Sequence, residues 1–166
     1  MISIDLASGL QSQLATFSEP IVGAAQPALS LSPDGRSIAI EIPVLLGQGV
    51  GARLVVVAVD GSSAVRDVAG PFPINRIGPL TPAWTADSAS ILFGALNDAG
   101  AWQVMRVPAA GGSAVPDGPS LADVTYPRVP ANDGAGVSVS LDGSRLAFTV
   151  GHRAGFGLWS LEIRPR

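Results

Sequence analysis

The sequence predicts an all-β fold made of repeated sheets of four antiparallel strands, about three sheets in all. The first observation behind this is a phrase that occurs three times, a tight polar turn followed by a short apolar strand. It reads Leu31-Ser-Pro-Asp-Gly-Arg-Ser-Ile-Ala-Ile40, then Trp84-Thr-Ala-Asp-Ser-Ala-Ser-Ile-Leu-Phe93, then Ser138-Val-Ser-Leu-Asp-Gly-Ser-Arg-Leu-Ala-Phe148. Aligning Asp34, Asp87 and Asp142 spaces the copies at 53 and 55 residues, a steady period that marks a modular repeat. The second observation is that 20 glycines and 14 prolines are spread along the whole of the 166 residues, as many short strands joined by tight turns require. The third is a composition of 47% apolar and 14% charged residues, too apolar for disorder and free of the charge runs of an interaction tail.

The elements follow in order. Residues 1–18 form a half unit: Ile2-Ser-Ile-Asp-Leu-Ala-Ser-Gly9 and a strand at 11–16 match the third and fourth strands of the later copies. The first full unit spans 27–69, with strands expected at 28–31, 37–42, 53–59 and 64–68. Its turn, Ser32-Pro33-Asp34-Gly35, presets φ at the proline and allows positive φ at the glycine, the chemistry of a type I turn closing a hairpin. The second unit, 81–116, repeats the plan at 82–84, 90–95, 102–107 and a weak 113–115, but Ser88 stands where the first copy has glycine. The third, 136–163, has strands at 136–140, 145–150 and 157–163 and no fourth strand. The connecting stretches 70–81 and 116–134 are rich in Pro, Gly and Asp and read as surface loops, where the binding residues of such scaffolds sit.

Composition then excludes several functions. All ten basic residues are Arg and thirteen acidic residues leave a net charge of −3, so no basic face for nucleic acid is expected. With no cysteine, neither a disulfide framework nor a thiolate metal site can form. His152 is the single histidine, which rules out ordinary zinc coordination and leaves only oxygen ligands. It follows the 145–150 strand and reads as a polar loop residue, and no GxSxG nucleophile elbow accompanies it. No cofactor is expected. Apolar stretches such as 54–59 are far too short to cross a bilayer, and residues 1–10 lack the basic and apolar regions of a signal peptide.

The string Ser32-Pro-Asp-Gly-Arg-Ser-Ile-Ala-Ile40, with weaker echoes at 85–93 and 140–148, resembles the repeat of TolB-like β-propellers over nearly the whole chain. The resemblance implies blades of four antiparallel strands, the acidic turn joining the first two and Leu54-Val-Val-Val-Ala-Val-Asp-Gly61 forming a third. It also implies a periplasmic or cell-envelope location. About three blades are present, whereas closed propellers use roughly four to eight. Three arrangements follow: part of a longer propeller, two copies closing a six-bladed ring through their unpaired edges, or an open arc or different all-β fold.

The same blades serve as scaffolds and as gating domains of prolyl-oligopeptidase-type enzymes, so fold analogy alone does not select an activity. The residues favour a non-catalytic module that binds a protein. The alternatives are a gating domain whose hydrolase lies elsewhere and a small-ligand site in a central channel. Arg76 and Arg128 in the linkers are the candidates for contacting a partner, together with Asn132 and Asp133. The Asn132-Asp133-Gly134 and Asn97-Asp98 stretches could supply oxygen ligands to calcium, and each is explained more simply as a turn. Asp34, Asp87 and Asp142 are assigned to turn geometry. Trp84, Trp102 and Trp159 are assigned to the core between sheets rather than to ligand stacking.

Overall fold

A computed structural model describes residues 1–17, 28–47, 49–62, 65–73, 80–97, 99, 101–118, 120, 135–140, 142–152 and 155–162. Among them run fourteen strands and no helix. They are β1 (Ile2–Ile4), β2 (Gln11–Gln13), β3 (Leu29–Leu31), β4 (Ser37–Leu46), β5 (Gly49–Ala58), β6 (Arg66–Pro73) and β7 (Leu80–Thr81). There follow β8 (Ala83–Trp84), β9 (Ser90–Leu96), β10 (Trp102–Pro108), β11 (Val115–Pro116), β12 (Ala135–Val139), β13 (Arg145–His152) and β14 (Gly155–Glu162).

Strands adjacent in sequence pair with one another. The first sheet runs β3-β4-β5-β6 and the second β8-β9-β10-β11, both antiparallel throughout, while β1 and β2 form a separate hairpin. The third sheet has the order β7-β12-β13-β14, in which β7 lies parallel to β12.

The sheets stack face to face because their central strands are apolar on both sides. In β5 the side chains of Ala52, Leu54 and Val56 pack with Ala39 and Val68 against Trp84, Ile91, Phe93 and Val107 of the second sheet. The intervening Val55 and Val57 join Ile40 and Ile42 on the opposite face, where Leu14 of the N-terminal segment covers them. Alternation in a strand buried on both faces therefore reads as the unbroken run 54–59. The second sheet repeats this: Leu92 and Val104, out of phase with Ile91 and Val107, are buried on its other face.

Several strand limits differ from the sequence expectation, each for a local reason. β4 and β5 continue past 42 and before 53 as one long hairpin, with Pro43 opposite Ala52 and Leu46 opposite Gly49. Proline is tolerated there because β3 ends its pairing lower down, at Leu29 with Ile40, so Pro43 loses no bond to an inner neighbour. β6 extends to Pro73 with a bulged register against β5 between Ala52 and Val55. The third sheet, expected to hold three strands, gains β7 on its inner edge. Pro82, fully buried between β7 and β8, has no N–H to give, and on either side of it the chain changes partner, Leu80–Thr81 to β12 and Ala83–Trp84 to β9.

Candidate functional site

The three repeated turns close the hairpins β3–β4, β8–β9 and β12–β13 on the same rim, and the same hydrogen-bond circuit builds each of them. In the first, the Ser32 hydroxyl donates to Asp34 Oδ1 (2.6 Å) and accepts from the Ser37 N–H (2.9 Å), while the Arg36 N–H donates to Asp34 Oδ1 (3.0 Å). In the second, Thr85 donates to Asp87 Oδ1 (2.6 Å) and accepts from the Ser90 N–H (3.0 Å), and the Ala89 N–H reaches the same carboxylate oxygen (3.0 Å). In the third, Ser140 donates to Asp142 Oδ1 (2.5 Å) and accepts from Arg145 N–H (2.9 Å), with Ser144 N–H on Asp142 at 3.0 Å. The residue after each aspartate has positive φ: Gly35 at 71°, Ser88 at 59° and Gly143 at 70°.

Neighbouring turns also touch. The Asp34 N–H donates to Ser88 Oγ across the first and second sheets (3.1 Å), which gives Ser88 a reason to replace glycine in a left-handed conformation. A Cβ on Gly143 would lie 3.1 Å from Ala86 Cβ, so the third turn abuts the second. Ser88→Ala loses the acceptor and keeps the strained φ, whereas Ser88→Gly loses the acceptor and relieves it. The alanine variant is expected to be the less stable of the two by about 1 kcal/mol in thermal unfolding; equal stabilities would contradict the strain.

These donors set the chemistry of the carboxylates. The Ser32, Thr85 and Ser140 hydroxyls first, and backbone N–H groups second, hold Asp34, Asp87 and Asp142 below the usual carboxylate range, Asp142 down to about 2. They are acceptors at neutral pH and poor proton donors. Folded values below the ordinary 3.8 mean that this contribution to stability is complete above about pH 4 and is lost as pH falls toward 2. Thermal midpoints are therefore expected to stay level from pH 8 to pH 5 and to drop between pH 4 and pH 2. Asp142→Asn should flatten that drop, and an unchanged slope would disprove the role of its turn.

The opposite rim carries the end of the β4–β5 hairpin and the turn after β9. Asn97 Oδ1 accepts from the N–H groups of Ala99 and Ala101 (3.0 Å each), so this residue is a turn builder, as its sequence context suggested. A cavity of about 20 Å³ opens between the first and second sheets, lined by Glu41, Arg53, Leu54, Phe72, Pro82 and Phe93 among others. It has room for about one water and not for a metabolite. Two arginines are matched locally: Arg53 Nη1 lies 2.7 Å from Asp67 Oδ1, and Arg106 donates to Asp117 Oδ2 from both Nε (2.9 Å) and Nη2 (2.7 Å).

Arg76, Arg128, Asn132, Asp133 and Asp98 lie outside the described residues. His152 is placed by its backbone at the end of β13, and Trp102 and Trp159 by their strands alone. Trp84 is core, 5% exposed, with Nε1 donating to the Ser30 carbonyl (2.9 Å). Sequence reasoning passed over the hydroxyls of Ser32, Thr85 and Ser140, although a Ser or Thr two positions before each aspartate was the signal. Among the described residues no helix is long and apolar enough to cross a membrane, and none of their acidic or histidine side chains cluster as a metal site.

No family model and no curated protein matches the sequence itself. Solved structures do match the fold. A protein described as TolB from Agrobacterium tumefaciens superposes with a TM-score of 0.62 at 17% identity, covering 97% of this chain and 50% of its own. Prolyl oligopeptidase B from Galerina marginata matches with a TM-score of 0.54 at 15% identity, over 81% of this chain and 20% of the enzyme. The same enzyme bound to a 35mer hydrolysis and macrocyclization substrate gives 0.55 at 15% identity, over 87% and 22%. This chain thus spans half the length of the TolB protein and about a fifth of the peptidase. With its stacked four-stranded, largely antiparallel blades and repeated acidic turns, it has the fold of a TolB-like β-propeller.

Proposed function

We propose that this chain is a non-catalytic propeller module that binds a protein partner, working as a scaffold in the periplasm or cell envelope. One observation carries the reading: the carboxylates that recur with the repeat are committed to their own turns, each accepting a hydroxyl and a backbone N–H, and so are acceptors with no proton to deliver. Arg76, Arg128, Asn132 and Asp133, in the linkers between blades, are the contact residues of this reading.

Cross-linking in a cell-envelope preparation tests it. The wild-type chain is expected to give one discrete cross-linked protein and the Arg76→Glu, Arg128→Glu double variant to lose it. Cross-links that survive the double variant, or hydrolysis of a prolyl peptide by the purified chain, would sink the proposal. The second reading, a gating domain for a hydrolase whose catalytic domain is absent from this chain, draws on the match to prolyl oligopeptidase B. A hydrolase domain in the same reading frame would decide for it.

A further inference from the structure

The outer edges of the first two sheets are closed in different ways. In the first, β6 runs along β5 from Val56 to Gly51, with its bulge, and ends at Pro73. In the second, β11 pairs with β10 only at Arg106 and Met105, although β10 is seven residues long and paired with β9 along all of them. The Asp117 N–H adds one more bond, to the Val104 carbonyl (2.9 Å). The polar backbone groups of Val104 therefore face the outer edge, and by strand alternation so do those of Trp102 and Arg106.

Side chains supply what this short ladder lacks. Besides the two bonds from Arg106 to Asp117, Gln103 Nε2 donates to the Gly118 carbonyl (3.3 Å) and Asn97 Nδ2 to Ser120 Oγ (3.0 Å). Donors from β10 and from the turn before it thus hold a strap, Val115–Gly118, along the edge. They differ in strength. The Asp117 side chain is only 11% exposed and its bonds are charge-assisted, whereas the bonds of Gln103 and Asn97 are neutral and exposed. In the first sheet the Asp67 side chain paired with Arg53 is 63% exposed, where an ion pair contributes little. The strap of the second sheet is locked by an ion pair, and β6 of the first is held by its ladder. The strap is itself unfit for extension: Pro116 alternates with Val115 and Asp117, so its nitrogen, which carries no hydrogen, lies on the outward side.

We infer that Val115–Gly118 is a guard strap, locked by the Arg106–Asp117 pair, that bars the outer edge of β10 from pairing with the same edge of a second copy of this chain. An open strand edge is a template for another chain, and proline and charge blunt it. The second copy is the occupant that fits, because antiparallel pairing about a two-fold axis brings a strand edge onto itself. With the axis at Val104, Trp102 of one copy stands opposite Arg106 of the other, and each outward N–H meets a carbonyl.

Asp117→Ala removes the lock at a residue outside the apolar core. At low protein concentration the amide of residue 117 is expected to exchange about tenfold faster or more, as loss of a charge-assisted bond implies. At high concentration the mass by light scattering should rise toward about twice that of the parent, and the amides of 102, 104 and 106 should slow as the edges pair. Asp117→Asn, of the same shape and uncharged, should move both readouts the same way by less, and it carries the test if the alanine variant fails to fold. Asp67→Ala, at the exposed carboxylate of the first sheet, should leave both where they are in the parent. Exchange at 117 that matches the parent in both Asp117 variants would mean that the ion pair is not the lock. Faster exchange with an unchanged mass would mean that the bared edge does not pair. Either result overturns the guard, and so does an equal rise in mass for the Asp67 variant.

Discussion

Trp84→Ala is expected to lower stability by about 3–5 kcal/mol, the range for emptying a large aromatic site in a core. The ring is 5% exposed and sits where Ala39, Leu54 and Val56 of the first sheet meet Ile91 and Phe93 of the second. Collapse around the void is limited because rigid ladders on both sides hold the backbone. The substitution also leaves the Ser30 carbonyl without its ring N–H donor. Trp84→Phe should keep most of the apolar contact and lose the hydrogen bond, at a cost of about 1 kcal/mol beyond the smaller ring. Urea unfolding reads both as shifts in midpoint at constant slope. A loss below about 1 kcal/mol for the alanine variant would mean that Trp84 does not couple the two sheets.

Gly51 is the second sensitive position, for the opposite reason. A Cβ there would fall 2.6 Å from the Phe72 carbonyl and 2.5 Å from Leu46 Cδ1. The leucine can rotate away, but the carbonyl belongs to β6 and can retreat only if the sheet opens. Gly51→Ala should cost about 1–3 kcal/mol, and Gly51→Val more, through overpacking. Gly47, in the same hairpin, has nothing within 4 Å of its would-be Cβ. Gly47→Ala is therefore expected to stay within about 0.5 kcal/mol of the parent. If the two alanine variants unfold at the same urea concentration, crowding at Gly51 is not what selects glycine.

The repeat was legible because its signals are local. Pro33, Asp34 and Gly35 announce the first turn, and the hydrogen bonds of Ser32 and Asp34 are the ones such a sequence makes. A strand at 53–59 was legible too, and its burial on both faces, seen only in the structure, is why the run 54–59 is unbroken. Trp84 as core followed from its place in a first strand. Signals that act across units were not legible. The expected strands stopped at 42 and began at 53, yet Pro43 and Gly51 sit inside the β4–β5 hairpin, and the inner strand ends before reaching Pro43. Two residues beside a proline gave no hint that Leu80–Thr81 pairs with β12, more than fifty positions away. At the turn rim the hydroxyls were readable from spacing, whereas the bond from Asp34 to Ser88 depends on how sheets abut, which no short pattern encodes.

The switch of partner at Pro82 has a mechanical meaning. Leu80–Thr81 is a rung of the third sheet and Ala83–Trp84 a rung of the second, so one length of backbone serves as a tie between two blades. Opening of the third sheet at β12 pulls on the strand that holds Trp84 in place. Slow hydrogen exchange at 83–84 and at 135–137 should then rise together with denaturant, as one cooperative unit. Among the described residues the β1–β2 hairpin shares no strand with its neighbour, and its amides are the ones expected to exchange first and independently.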